Sequence, residues 1–300
     1  MKQPVHQGIA LLSLTVAFAA ADIASWYWIL FVPIAENATT YPVIHFLDVG
    51  QGDAELVSFA DGTNILTDTG PSGPAILGAL DSILASRDRS IDIIIISQPS
   101  ASHFGGLRDI VDHYRVGAII YSGRDAPPGV SAWPTLLEKI SAKMIPLITL
   151  GEGDCLHIGT LGKVDILSPG RELAESQELG DTGIVQLVTT GKFRALLTAD
   201  IGFGVENALV ARYGMLLRAD ILKIPHGGSK NSSGAAFLSA VSPRTAIIEV
   251  GAKNSYHQPA AETLIRIVSS TSAKVFRTDE DGTVAVFRAS DGALAAVAAR

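Results

Sequence analysis

The chain has one cysteine, Cys155, in 300 residues. A single thiol makes no internal disulfide and no cysteine-based zinc cluster, and it leaves the redox compartment open. Acidic residues outnumber basic ones, for a net charge of -7, so there is no whole-chain basic footprint of a nucleic-acid binder. No repeat of fixed period and no low-complexity tract occurs, which excludes solenoids and propellers. Lys230 follows Gly228-Ser229 without the glycine spacing of a phosphate loop, which excludes that nucleotide motif. What the chain does have is 47% hydrophobic against 18% charged residues, enough apolar matter for a sizeable core in one large domain or two small ones.

The sharpest compositional break is at the N-terminus. Between residues 8 and 35 the only charged side chain is Asp22. A bilayer needs roughly 20 apolar residues, so this run is long enough to span one. The reading preferred here divides the chain into an uncleaved membrane anchor, residues 1–40, and a folded domain, residues 41–300. Small residues at 17–21 offer the alternative of a cleaved signal peptide, but apolar residues continue past them. Trp26, Tyr27 and Trp28 suit an interfacial belt, and Lys2 ahead of the run places the domain on the extracytoplasmic side.

After residue 40 short apolar runs alternate with glycine and aspartate. Strands are expected over 43–47, 54–59, 64–67, 91–96, 118–121, 144–149, 164–167, 184–189, 195–198, 221–224, 245–250, 274–276 and 283–287. Helices are expected over 76–84, 107–114, 133–140, 205–213, 235–241 and 261–269. Strands with irregularly interleaved helices imply an α/β fold with mixed sheets covered by helices on more than one side.

Three strand-end loops concentrate polar groups. Asp48-Val49-Gly50-Gln51-Gly52-Asp53 crowds two carboxylates and an amide between strands. Asp68-Thr69-Gly70 lies between a strand and a helix start that is able to hold an anion, and Asp181-Thr182-Gly183 repeats the triad. Paired triads suggest a pepsin-like aspartic protease, in which two carboxylates share a proton. The intervening helices do not suit that all-β enzyme, and Ile184 stands where a small hydroxyl residue is usual. The third loop, Ser97-Gln98-Pro99-Ser100-Ala101-Ser102-His103, follows the most apolar strand.

Taken in order, FLDVGQGDA, ILTDTG, IIIISQPSASHFGGL, ALLTAD, ILKIPHGGS and NSYHQP resemble the metallo-β-lactamase-like domain of ComEC-type competence proteins, which act in DNA uptake. The resemblance runs from about His45 to Phe287. It implies an αβ/βα sandwich of two mixed sheets with outer helices. It also implies a His-x-His-x-Asp-His ligand sequence on the loop after the apolar strand, holding two metal ions that activate water. Here Gln98, Ser100 and Ser102 occupy the first three of those positions, and only His103 matches. Asp200 matches the bridging carboxylate and His226 the first histidine of a His-His-Gly-Ser stretch whose second is Gly227. Gln258 stands where a Gly-His-Pro stretch has its histidine.

Gln and Ser are poor neutral ligands for zinc beside imidazole and carboxylate, so the ion built on the first two histidines is expected to be absent. The cofactor expectation is therefore none, or a single zinc or manganese ion on His103, Asp200 and His226. Asp48, Gln51, Asp53 and Asp68 are expected to brace the site. His113 and His157 read as structural. Arg108, Lys223, Lys230 and Lys253 are the nearby cations able to attract a phosphate. Two functions follow: a pseudoenzyme that keeps the fold and binds a protein or nucleic-acid partner at the membrane, or a mononuclear metal-dependent phosphodiesterase in which Asp200 serves catalysis.

Overall fold

The computed structural model describes residues 42–300 apart from 85–88, 174–175 and 177. The expected anchor lies outside the described residues. Among the described residues no helix is long and apolar enough to cross a membrane.

The strands, in chain order, are β1 (Val43–Phe46), β2 (Glu55–Ser58), β3 (Asn64–Thr67), β4 (Ser90–Ile96), β5 (Arg115–Tyr121), β6 (Leu147–Thr149), β7 (Cys155–Ile158), β8 (Gly162–Ser168), β9 (Val185–Thr189), β10 (Arg194–Leu197), β11 (Ile221–Lys223), β12 (Thr245–Ile248), β13 (Lys274–Arg277), β14 (Val284–Arg288) and β15 (Leu294–Ala298). They form two sheets, ordered β15-β14-β1-β2-β3-β4-β5-β6 and β13-β12-β11-β10-β9-β8-β7. Both sheets are mixed: β3 to β6 and β10 to β13 run parallel, and the remaining pairs antiparallel.

The helices are α1 (Gly73–Asp81), α2 (Ala101–Phe104), α3 (Leu107–His113), α4 (Ala132–Ala142), α5 (Phe203–Tyr213), α6 (Ala235–Val241), α7 (Ala261–Ser270) and α8 (Thr278–Asp281). Three of them, α1, α3 and α4, cover the first sheet through Ile76, Leu107 and Trp133. Three more, α5, α6 and α7, cover the second through Val205, Phe237 and Ile267. Between the sheets lies a third core that includes Phe46, Val57, Val188 and Leu197. The layers are thus helix, sheet, sheet, helix, as expected.

β4 shows why its second half is an unbroken run of isoleucines: Ile94 and Ile96 face the helices, while Ile93 and Ile95 face the other sheet. A strand covered on both faces has no polar side to present. Each such isoleucine contributes roughly 1.5–3 kcal/mol by burial.

Several boundaries differ from expectation. The first helix is 73–81 rather than 76–84, because Pro74 is accommodated at the helix start. The strand expected over 144–149 shrinks to Leu147–Thr149, since Met144 takes a left-handed φ of 55° and Pro146 has no N–H to give. Strands β7 and β15 were not expected; Ala-rich β15 carries little β-propensity and is held by pairing with β14.

β3, β4, β10 and β11 end at one end of the sandwich, and the loops that follow them carry the polar motifs. The N-terminal residues of the same strands lie at the opposite end.

Candidate functional site

Asp68, directly after β3, has a left-handed φ of 57°, which swings its carboxylate across the end of β4. One oxygen accepts the Ser97 N–H at 2.8 Å, and the other accepts the Ser97 hydroxyl at 2.6 Å. That second oxygen also takes the Nδ1–H of His103 at 2.6 Å. His103 rides on the single turn of α2, whose next residue, Phe104, packs on Trp133 with ring centroids 5.0 Å apart. Thr69 ties the turn down by donating its N–H and hydroxyl to the His103 carbonyl at 2.7 and 2.9 Å.

On its outer side His103 Nε2 meets Asp200 Oδ2 at 3.0 Å. Asp200 follows β10 and stands at the mouth, its side chain 17% exposed, while His103 is buried. The Gln98 amide nitrogen donates to the same Asp200 oxygen at 2.8 Å and lies 2.8 Å from His103 Nε2. Its Oε1 is buried without a partner. Burial opposes charge on His103, but the carboxylates of Asp68 and Asp200 prevail and hold its pKa well above the usual imidazole value. Burial likewise opposes charge on Asp200, and the His103 imidazolium pulls its pKa below the ordinary range.

Behind this group lies a second one. Lys223, the last residue of β11, is fully buried; its ammonium sits 2.6 Å from Asp53 Oδ2 and donates to the Ala199 carbonyl at 3.1 Å. Desolvation would strip its proton, but Asp53, Glu55 and Glu249 hold it charged, with a pKa above the usual lysine value. Glu55 and Glu249 are buried as well, and each has one oxygen without a hydrogen-bond partner. Burial first, then the neighbouring carboxylate, lifts Glu55 well above the carboxylate range; burial lifts Glu249 to about 8. Lys223 was expected among the phosphate-attracting surface cations, and that expectation is corrected: a side chain walled off from solvent reaches no ligand. Arg108, Lys230 and Lys253 are exposed.

The other expected residues divide. Ser100 and Ser102 turn to each other, hydroxyls 3.0 Å apart. Gln51 accepts the Gly251 N–H at 2.9 Å and donates to Gln258 Oε1 at 3.0 Å, and Gln258 donates to the His226 carbonyl at 3.0 Å. The His226 residue itself is exposed, with a left-handed φ of 54°. A Cβ on Gly227 would come within 3.0 Å of Gln258 Oε1 and 3.2 Å of the Glu249 carbonyl, so a side chain there is crowded as well as strained. Asp48 lies away from this centre and pairs with Arg300 at 2.7 Å. Asp181, in the second Asp-Thr-Gly, accepts the Ser176 hydroxyl at 2.9 Å, so the two triads do not form a shared-proton pair.

Asp53, Asp68 and His103 offer three donor atoms within 4.8 Å of one another, an arrangement able to hold an ion. Those atoms are engaged, however: Asp53 by the Lys223 ammonium, and Asp68 by the His103 N–H at 2.6 Å. On the far side of the ring, His103 and Asp200 touch directly, and the Gln98 amide donates to Asp200. Two cations, His103 and Lys223, lie among Asp53, Asp68 and Asp200. With an amide and two hydroxyls at Gln98, Ser100 and Ser102, the donor set does not fit the two-metal centre the resemblance implies; Asp53, Asp68 and His103 are the residues that would hold a single ion. Glu55, Glu249 and the buried state of Lys223 were missed from the sequence. The available signal was a lysine inside the apolar Ile-Leu-Lys-Ile strand and a glutamate inside Ala-Glu-Leu-Val.

By sequence, residues 47–251 match the Metallo-beta-lactamase superfamily. The chain is similar to ComE operon protein 3 of Bacillus subtilis, 26% identical over 260 residues that cover 80% of this chain and 32% of that protein. It is also similar to competence protein ComA of Neisseria gonorrhoeae, 29% identical over 240 residues, covering 78% and 30% respectively. It thus spans about a third of the length of these curated relatives. Among solved structures it is similar to the metallo hydrolase Igni18 from the archaeon Ignicoccus hospitalis, with a TM-score of 0.54 and 14% identity, covering 81% of this chain and 98% of that one.

Proposed function

The chain belongs to the metallo-β-lactamase superfamily, and from that premise we propose that it is a pseudoenzyme of the competence-protein branch, anchored to a membrane by residues 1–40 and working by binding. One observation carries this reading. The ligand loop is closed on itself, with Gln98, His103 and Asp200 in mutual contact at 2.8–3.0 Å and Ser100 bonded to Ser102. A hydrolytic centre needs open coordination positions for water and substrate. The partner is a protein or a nucleic acid met at the extracytoplasmic membrane surface.

The rival reading, a mononuclear phosphodiesterase on His103, Asp200 and His226, draws on the Asp68 carboxylate at His103 Nδ1. That contact is the usual orienting partner of a metal-bound imidazole.

The test is a nuclease assay on the full chain and on Gln98→His/Ser100→His/Ser102→Asp, each with zinc or manganese. The native chain is expected to cleave nothing above background and to retain no ion on desalting. The restored chain is expected to retain metal. Metal-dependent cleavage by the native chain, abolished by Asp200→Asn, would overturn the pseudoenzyme reading.

A further inference from the structure

The end of the sandwich away from the site carries a different surface. In the second sheet β8 and β10 to β13 all begin there. Cations follow that rim: Lys163 in β8, Lys192 in the β9–β10 turn, Arg218 ahead of β11, Arg244 ahead of β12 and Lys274 at the head of β13. Carboxylates stand there too: Asp61 in the β2–β3 turn beside Gly159, and Asp291 in the β14–β15 turn, are exposed at this end. Asp165 pairs with Lys163 at 2.6 Å, and Asp220 lies 3.9 Å from Arg244 and 3.5 Å from Arg288. This row of cations occurs in a chain whose net charge is -7.

Bare apolar side chains are interleaved with the cations. Leu161, two residues before Lys163, is 68% exposed; Met215 and Leu216, just before Arg218, are 81% and 69% exposed. Leu161 stands against the β9–β10 turn, within 3.0 Å of where a Cβ on Gly191 would be. The Leu216 carbonyl accepts from Arg194 at 2.7 Å. The two apolar groups are therefore fastened to the rim rather than hanging from it. Val43, which opens β1 and pairs with Ser58 and Phe287, lies at this same end. Seven residues, 36–42, separate β1 from the apolar run in the sequence. Fully extended they reach roughly 25 Å at most.

We propose that this rim rests on an anionic lipid surface, with Leu161, Met215 and Leu216 entering the headgroup boundary and the cations meeting lipid phosphates, so that the site end faces away from the bilayer. The inference rests on the membrane-anchored reading above. Each lysine or arginine held near an anionic leaflet favours docking by about fivefold. Exposed leucine and methionine gain by leaving water at the acyl boundary. A nucleic acid would meet the same cations but leave the three apolar side chains in water, which is why a bilayer is the occupant argued for.

The experiment uses the full chain with Cys155→Ala and an environment-sensitive dye on Leu161→Cys or, at the site end, on Tyr256→Cys. Each is reconstituted in phosphatidylcholine vesicles with or without phosphatidylglycerol. The Leu161 dye is expected to shift to the blue only with phosphatidylglycerol and to revert in molar salt, while the Tyr256 dye stays unmoved. Arg218→Glu/Arg244→Glu is expected to lower the docked population by about 25-fold or more. Equal emission from the Leu161 dye in both vesicles would overturn the proposal. So would shielding of that dye by a DNA duplex in place of lipid. Flotation with plain phosphatidylcholine vesicles reports the anchor separately, so loss of the anchor and loss of the rim contact are told apart.

Discussion

Two groups of buried charge lie side by side in this domain and share Asp53, which is 2.6 Å from Lys223 Nζ and 3.8 Å from His103 Nδ1. The Lys223 group joins the two sheets: Asp53 and Glu55 come from the first, Lys223 and Glu249 from strands and strand ends of the second. It is sealed from water. The His103 group opens at Asp200. The inner group is made of ionisable side chains, whereas the outer one adds neutral Gln98, Ser100 and Ser102. The contrast separates charge held between the sheets, out of reach of solvent, from charge that reaches the surface at Asp200.

The largest effect is expected from Lys223→Met. It leaves Asp53, Glu55 and Glu249 without their cation, and removing one partner of a buried pair costs roughly 3–5 kcal/mol. Denaturant unfolding should register that loss, and a stability near native would break the comparison. His103→Ala comes next, at roughly 2–4 kcal/mol, because Asp68 and Asp200 both lose a charged donor. The same unfolding curves measure it, and added zinc should leave the native curve unmoved.

Glu249→Gln sharpens the contrast through pH. A carboxyl whose folded pKa is raised to about 8 contributes stability below its unfolded value near 4.5, and that contribution is lost as pH rises to about 8. His103, also raised when folded, acts in the same direction. Native melting temperature should therefore fall between pH 5 and pH 8, roughly, and Glu249→Gln should flatten the fall and gain roughly 1–2 kcal/mol at the alkaline side. An unchanged slope would remove Glu249 from the account. Ser100→Ala should be the smallest, within about 0.5 kcal/mol, since its hydroxyl bond lies at a part-exposed position. A larger loss would mean that the ligand loop still carries the fold.

The layer order was legible because apolar runs such as Ile93 to Ile96 suit a strand covered on both faces. The short elements were not: Leu294–Ala298 is a strand only because β14 offers it a partner. At the site, His103, Asp200 and the altered loop could be named from motif order, since each follows a recognisable strand. The Lys223 group was harder to read: the apolar Ile-Leu-Lys-Ile run hints at burial of the lysine, but its three carboxylates arrive from positions 53, 55 and 249, and no local pattern joins them. For His226 the motif position does not reveal the backbone: the residue is exposed and has a left-handed φ of 54°.

The most direct test is nitrogen NMR of the histidine side chains in the full chain near neutral pH, before and after zinc. The account predicts that His103 carries protons on both ring nitrogens, donating to Asp68 and Asp200, and that zinc leaves its resonances in place. A His103 Nε2 that is unprotonated and moves to a metal-bound position on zinc addition would contradict it.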